Sequence, residues 1–219
     1  QMVGREVFLQ VKKEEAQPKE EILNVQDLWV HDARGLLAVN GVSLSINAGE
    51  IVGIAGVEGN GQSELVEALT GLRKASKGTV HYLGEDIASS SPKNIRRKKV
   101  AHIPEDRTNT GLNTQLSIWE NLIGNSYFRK PLSSRGIFNL KKIANHANSL
   151  KEDFDIRAPS VSLKVKSLSG GNQQKVVVAR ELSEDPTLTI ASQPTRGVDI
   201  GNIEAIHEQL VQMRDEGGA

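Results

Sequence analysis

The 219-residue sequence contains no cysteine. This absence excludes disulfide frameworks, thiol nucleophiles and cysteine-ligated zinc or iron–sulfur sites. Net charge is also missing, because 27 basic residues balance 27 acidic ones, whereas a general nucleic-acid-binding protein usually has a basic excess. No apolar run approaches the roughly 20 residues of a membrane-spanning helix, and no signal segment opens the chain. These absences favour a soluble, intracellular protein, and at roughly 150 residues per domain the length predicts one to one and a half domains.

Strand-type runs alternate with helical patterns along most of the chain. Residues 11–21 are charged and carry a proline, which predicts a linker. The continuous apolar run Ile51–Ala55 predicts a buried parallel strand, and Leu65, Leu69 and Leu72 predict a helix after a glycine-rich turn. Further strand patterns lie at 22–30, 42–46, 80–83, 100–103 and 188–191, and further helical patterns at 118–123, 140–154, 171–182 and 203–213. The alternation predicts an α/β fold with a mostly helical block, about residues 108–183, inserted between core strands.

The glycine-rich turn has the spacing of a phosphate-binding P-loop, G-x-x-x-x-G-K-[ST], with Gln62 in place of the lysine. Glycines let backbone N–H groups turn toward a phosphate, and the following helix N-terminus adds partial positive charge. Ser63 is placed to coordinate Mg²⁺. A missing unit charge about 4 Å from a phosphate removes ~4 kcal/mol at an effective dielectric constant near 20. A strand–helix turn without a ligand is the alternative. The candidate binding residues are Gly56, Glu58, Gly59, Asn60, Gly61, Gln62, Ser63 and Glu64.

A second glycine motif, Leu168-Ser-Gly-Gly-Asn-Gln-Gln-Lys175, precedes a predicted helix. Ser169 can cap this helix, and the amides of Gly170 and Gly171 lie at its positive end. The pattern indicates an anion-binding site. Taken alone, it is equally typical of a capped helix with a flexible start.

The two motifs together resemble the ATP-binding cassette (ABC) family, whose signature L-S-G-G-Q is present here as Leu168–Asn172. The resemblance runs from about Ile22 to the C-terminus. Glu105 occupies the place of the family's Q-loop glutamine, Leu188–Thr195 resembles the Walker B stretch, and Asp199 matches the D-loop aspartate.

Three local segments are similar to the double-cassette ATPases of simple-sugar and nucleoside importers. They are the extension Asn172–Lys175, the Pro-Glu-Asp-Arg run at 104–107 and the Pro-Thr-Arg-Gly-Val-Asp run at 194–199. The opening Met2–Arg5 resembles the junction after the first cassette. The resemblance therefore implies a second cassette.

The resemblance implies a P-loop NTPase (RecA-like) core with an antiparallel β subdomain and an inserted α-helical subdomain, truncated at its C-terminus. The expected parts are a junction at 1–21, a nucleotide-binding core at 22–107, a helical subdomain with the signature at 108–183 and an incomplete core continuation at 184–219. The implied ligands are ATP and Mg²⁺. The implied partners are a first cassette of the same polypeptide, two transmembrane permease subunits and, indirectly, an extracytoplasmic solute-binding protein, with no nucleic acid. The implied location is the cytoplasmic face of the cell membrane, as a peripheral subunit.

Three charged groups of the family's hydrolytic chemistry are replaced. Gln62 replaces the P-loop lysine, Ser192 the Walker B aspartate and Gln193 the glutamate that polarises water. Glu105 is a fourth change and could place a negative charge near the phosphates. Losing one such group typically lowers the rate by ~10²–10³. We therefore assign no catalytic residue and expect negligible hydrolysis in this site, although the whole protein would be an ATPase coupled to import.

The signature keeps its key residues. Ser169, Gly170, Gly171 and Asn172, with Asp199, are expected to serve the ATP of the partner cassette, because ABC domains dimerise head to tail. One alternative is a nucleotide-sensing or dimerisation module outside transport. A DNA-repair or translation ATPase is disfavoured, because no coiled-coil insertion, zinc cysteines or basic linkers are present.

The substrate class is either a sugar or a nucleoside, and the replacements at Gln62 and Ser192–Gln193 favour a nucleoside. The basic run Arg96–Lys99 is most typical of a solvated helix end, with an acidic membrane surface or nucleic acid as the alternatives.

Overall fold

The computed structural model describes residues 13–219, which divide into two compact units. The strand-rich unit comprises residues 13–102, 185–190 and 211–219, and the helix-rich unit comprises 103–184 and 191–210. The strands are β1 Glu21–His31, β2 Leu37–Asn47, β3 Lys77–Tyr82, β4 Glu85–Asp86, β5 Val100–Ile103, β6 Ser133–Ser134, β7 Ile137–Phe138 and β8 Leu188–Ala191. The α-helices are α1 Gln62–Leu69, α2 Pro92–Arg97, α3 Ile118–Leu122, α4 Leu140–Asp153, α5 Gly170–Leu182 and α6 Ile200–Asp215.

The strand-rich unit is built on a four-stranded sheet in the order β2-β1-β3-β4. All its neighbours are antiparallel, with Leu23 opposite Ile46 on one side and Tyr82 on the other. The alternating pattern of β2 sends Val39 into the core, as expected for a half-buried strand. Leu65 and Leu69 of α1 are buried in the same core, so this helix covers apolar surface of the sheet.

The expected strand at Ile51–Ala55 is wrong. Ile51, Val52 and Ile54 are 54%, 42% and 56% exposed, and the segment is irregular. Among residues 13–219, no backbone hydrogen bond joins it to a neighbouring strand. Because a strand must pair its backbone groups with a neighbour, an apolar run without that partner does not form one. Leu72 was also misplaced, since α1 ends at Leu69 and Leu72 is 60% exposed.

The helix-rich unit has its own core, centred on α5. Val176, Val177 and Ala179 have no exposed surface, and they pack with residues of α3 and α4 such as Ile118 and Ala147. Ser117 begins α3 with a capping box, in which the Glu120 side chain accepts from the Ser117 backbone N–H at 2.7 Å. The burial of one full face explains why α5 holds its position, and with it the signature at its N-terminus.

Strands β5 and β8 form a separate two-stranded sheet. In the strand-rich unit, Thr187 N donates to Lys99 O at 3.0 Å, and in the helix-rich unit Ser192 N donates to Ile103 O at 2.9 Å. The residue numbers rise together along both strands, so the pair is parallel. The short hairpin β6–β7 is not among the predicted elements, whereas the helix end expected at Arg96–Lys99 corresponds to the end of α2. No helix within residues 13–219 has both the length and the apolar composition to cross a membrane.

Candidate functional site

The P-loop segment lies in the strand-rich unit, immediately before α1. Gly59 and Gly61 have φ of +87° and +92°, a conformation that only glycine adopts without strain. At Gly61 a β-carbon would also stand 2.2 Å from the Ala38 carbonyl oxygen. The close approach to β2 therefore requires glycine at this position. Glycine at 61 turns the chain into the helix, and Gln62 is its first residue.

Gln62 points back into the loop. Its amide Nε2 donates to the Val57 carbonyl oxygen at 3.2 Å, and the amide of Asn60 donates to the same oxygen at 3.1 Å. A β-carbon at Gly56 would stand only 2.1 Å from Gln62 Nε2, which shows how closely the side chain covers the loop. The donor that replaces the lysine is thus engaged within the loop and carries no charge.

The remaining residues of the segment fit a phosphate through backbone N–H groups and the exposed Ser63 hydroxyl at the first turn of α1. Ser63 is also a suitable Mg²⁺ ligand. The side-chain charges of the segment disfavour binding of an anion, because Glu58 and Glu64 are the only ionisable residues from Gly56 to Glu64. The backbone suits a nucleotide better than the side chains do.

The signature lies in the helix-rich unit, where Ser169 is the N-cap of α5. Its hydroxyl accepts from the Asn172 backbone N–H at 3.4 Å and from the Asn172 side chain at 3.0 Å, as expected for a cap. A β-carbon on Gly170 would stand 2.7 Å from Arg107 Nη2, and one on Gly171 would stand 2.2 Å from Asn202 Nδ2. A side chain at either glycine would therefore displace the end of Arg107 or Asn202.

Asn172 and Lys175 fasten a turn to the signature helix, a role that the sequence did not reveal. Asn172 Oδ1 accepts from the Arg157 backbone N–H at 2.7 Å. Lys175 Nζ donates to the Asp155 carboxylate at 2.8 Å and to the Asp155 carbonyl oxygen at 2.9 Å. The hydrogen bond from Lys175 lowers the pKa of the Asp155 carboxyl. Asparagine thus has a structural task where the family has glutamine.

Asp199 caps α6 beside the signature. Its carboxylate accepts from the Asn202 backbone N–H at 3.1 Å and from the Asn202 side chain at 2.6 Å. A β-carbon on Gly171 would approach the same carboxylate to 3.1 Å. Ser169, Asn172 and Asp199 line one open cleft of about 990 Å³. The structure therefore brings together the signature and the aspartate that the resemblance singled out.

Glu105 and Gln193 also meet, through a residue that sequence reasoning missed. Gln193 Nε2 donates to the Glu105 carboxylate at 3.0 Å, and the Arg196 guanidinium forms an ion pair with the same oxygen. The negative charge at the Q-loop place is therefore compensated by Arg196. Gln193 has φ of +44°, and the Ser192 backbone continues the pairing of β8 beyond its end.

Arg107 lies between Arg196, the ion-pair partner of Glu105, and the signature. Its Nη1 donates to the Arg196 carbonyl oxygen at 2.8 Å, while Nη2 lies against Gly170. The turn that begins at Arg107 is capped by Asp106, whose carboxylate accepts from the backbone N–H groups of Thr108 and Asn109. The Asn109 side chain also donates to this carboxylate. Its hydrogen bond is the largest cause, and together with the backbone hydrogen bonds it lowers the pKa of the Asp106 carboxyl to about 2.

Comparison with known proteins identifies the family. The ABC transporter family model matches residues 39–196. The chain is 47% identical over 218 residues to the nucleoside import ATP-binding protein NupA of Lactococcus lactis subsp. cremoris, covering 100% of this chain and 43% of that protein. It is 46% identical to the guanosine import ATP-binding protein NupO of Bacillus subtilis, again covering 100% of this chain and 43% of that protein. The chain thus spans less than half the length of these relatives.

The solved structures agree on the fold. A dimeric ATP-binding cassette bound to ADP and Pi superposes with a TM-score of 0.77 at 24% identity, covering 89% of this chain and 84% of that one. A nucleotide-free cassette of an ABC transporter gives 0.73 at 23% identity, covering 91% and 79%. The predicted P-loop NTPase cassette fold is therefore confirmed. This chain belongs to the ABC transporter family.

Proposed function

We propose that this chain is the second cassette of a double-cassette importer ATPase, with a degenerate ATP site of its own and a working signature for its partner. The observation that carries the proposal is the engagement of Gln62. Its amide donates to Val57 O and carries no charge, so the P-loop lacks the cation that a lysine would supply. The signature, by contrast, has its N-cap in place at Ser169 and both glycines at the start of α5.

In the proposed head-to-tail pair, the first cassette of the same polypeptide brings its P-loop and ATP to this signature. The Ser169 hydroxyl and the free N–H groups at the start of α5 would bind the γ-phosphate, because that helix end carries partial positive charge. Arg107 and Asp199 would hold the signature in position through their contacts at Gly170 and Gly171. Bound ATP supplies the free energy, and the residues described here orient its terminal phosphate.

In this chain's own P-loop, the backbone and Ser63 would hold ATP and Mg²⁺ weakly. The replacements Ser192 and Gln193 remove two carboxylates from the place where the family positions metal and water. Because phosphoryl transfer depends on positioning and on charge stabilisation, hydrolysis at this site should be negligible. Glu105, compensated by Arg196, adds no free negative charge.

The proposed partners beyond the first cassette are two membrane permease subunits, reached at the cytoplasmic face of the membrane, with an extracytoplasmic solute-binding protein upstream. Nucleosides are the proposed substrates. Support comes from the relatives, since the two named for nucleoside and guanosine import are 47% and 46% identical. Those named for glucose and ribose import are 40% and 37% identical.

A hydrolysis assay on the purified 219-residue chain tests the proposal. We expect negligible ATP turnover, with no change on Ser63→Ala. Turnover at an ordinary family rate that is lost in Ser63→Ala would overturn the degenerate site. Co-purification with a permease tests the transport role, and capture of soluble partners alone would favour a nucleotide-sensing module instead.

A further inference from the structure

One long segment of the helix-rich unit carries basic residues and no acidic ones. Between Glu120 and Glu152 the sequence contains no acidic residue, although the whole chain is neutral. The basic residues in this interval are Arg129, Lys130, Arg135, Lys141, Lys142 and Lys151. Arg129 forms an ion pair with Glu184. Among the ion pairs of residues 13–219, none involves Lys130, Arg135, Lys141 or Lys142.

The same segment exposes large apolar side chains. Ile137 and Leu140 are 75% and 67% exposed, and three aromatic residues are about half exposed. The aromatic rings touch one another, with the ring centre of Tyr127 5.4 Å from that of Phe128 and 6.5 Å from that of Phe138. These contacts join the turn after α3 to the hairpin strand β7. The apolar and basic residues thus form one surface, here termed the 127–142 patch.

We propose that the 127–142 patch binds the surface of an anionic phospholipid membrane directly. Exposed aromatic and aliphatic side chains flanked by cations are the composition of interfacial membrane-binding segments. Each cation near an anionic bilayer surface is attracted to the lipid phosphates, and lysine stems can cover apolar surface while the ammonium stays in water.

Other occupants fit the patch less well. Three of its four unpaired cations are lysines, which are depleted at protein–protein interfaces. A single-stranded nucleic acid would stack on the three half-exposed aromatic rings, but it would leave Ile137 and Leu140, the two most exposed apolar residues of the patch, without an apolar partner. Hydrocarbon and phosphate together match the patch best.

The basic run Arg96–Lys99 provides an internal comparison. Lys98 forms an ion pair with Glu85, and Ile95 is buried beneath the run. None of the exposed large apolar residues lies between residues 92 and 99. This run is therefore a solvated helix end, and charge changes on α2 serve as a control for the patch.

Co-sedimentation of the full 219-residue chain with lipid vesicles tests the proposal, without nucleotide or permease, so that its outcome is independent of the proposed function. We expect binding to phosphatidylcholine vesicles containing about one quarter phosphatidylglycerol, and much weaker binding to pure phosphatidylcholine. Lys130→Glu/Arg135→Glu should weaken the binding about tenfold or more, and Ile137→Ser/Leu140→Ser should also weaken it. Lys93→Glu/Arg97→Glu makes the same charge change on α2 and should stay within about twofold.

Thermal unfolding of each variant checks that the fold is retained. No binding to anionic vesicles would overturn the proposal, as would equal losses in the patch and α2 variants. Capture by permease or by RNA through the patch, with no vesicle binding, would likewise overturn it in favour of those occupants.

Discussion

The guanidinium of Arg107 lies directly against Gly170, so that a β-carbon at this glycine would stand 2.7 Å from Nη2. The same guanidinium donates to the Arg196 carbonyl oxygen at 2.8 Å and lies beside Gly197. One side chain thus holds the start of the signature helix next to the loop after β8.

Replacing Arg107 should loosen this connection. We expect Arg107→Leu to destabilise the chain by about 1 kcal/mol, because the Arg196 carbonyl loses its donor. Urea unfolding measures the loss. Arg135→Leu is the matched control, since Arg135 is exposed on a hairpin turn, and its stability should stay within about 0.5 kcal/mol of wild type. Equal effects of the two changes would contradict the positioning role of Arg107.

Restoring the missing charge should strengthen nucleotide binding. Gln62→Lys places a cation at the P-loop, and we expect ATP to bind about tenfold tighter or more. Titration with a fluorescent ATP analogue measures the dissociation constant. Gln26→Lys adds the same charge at an exposed position of β1 and should change little. An unaltered dissociation constant in Gln62→Lys would show that the lysine is not what this site lacks.

The contact between Lys175 and Asp155 should stabilise the signature helix. The Lys175 side chain is only 7% exposed, so its ammonium depends on the two oxygens of Asp155. We expect Asp155→Ala to lower the free energy of unfolding by about 1–3 kcal/mol, because the ammonium keeps one partner instead of two. Lys166→Met, at an exposed lysine, is the control for a lost surface charge. A destabilisation no larger than in this control would argue against the contact.

Asp106 should make stability depend on acid pH. Its pKa is about 2 in the folded chain, below the usual value near 3.9 in an unfolded chain. The stabilisation is therefore fully present above about pH 4 and is lost as pH falls toward about 2. Urea unfolding of wild type and Asp106→Asn from neutral pH downward should give a stability difference that narrows in this window. A stability difference between wild type and Asp106→Asn that does not change with pH would contradict the capping role of the Asp106 carboxylate.

Local patterns in the sequence were sufficient for many elements. The runs at Val100–Ile103 and Leu188–Ala191 became strands with the predicted limits, and Ser169 marked the start of α5. Their apolar runs and caps depend only on nearby residues. The hairpin around Arg135–Gly136 was not predicted. Both residues have the positive φ of a tight turn.

Contacts between residues far apart in the sequence could not be predicted from local patterns. Glu105 and Arg196 are 91 positions apart, and nothing in either local pattern indicates that they meet. The apolar run at Ile51–Ala55 shows the converse limit, because its composition predicts a strand but pairing depends on another segment. For the same reason, the compensated charge of Glu105 could not be anticipated.

The asymmetric account is tested most directly in the longer double-cassette protein proposed to contain this chain. ATP hydrolysis is measured with permease present, for Ser169→Arg in the signature and for Ser63→Ala in the P-loop of this half. We predict that Ser169→Arg lowers turnover by about 10²-fold or more, because the partner's ATP loses its signature, while Ser63→Ala stays within about twofold of wild type. A large loss in Ser63→Ala with turnover preserved in Ser169→Arg would contradict the account.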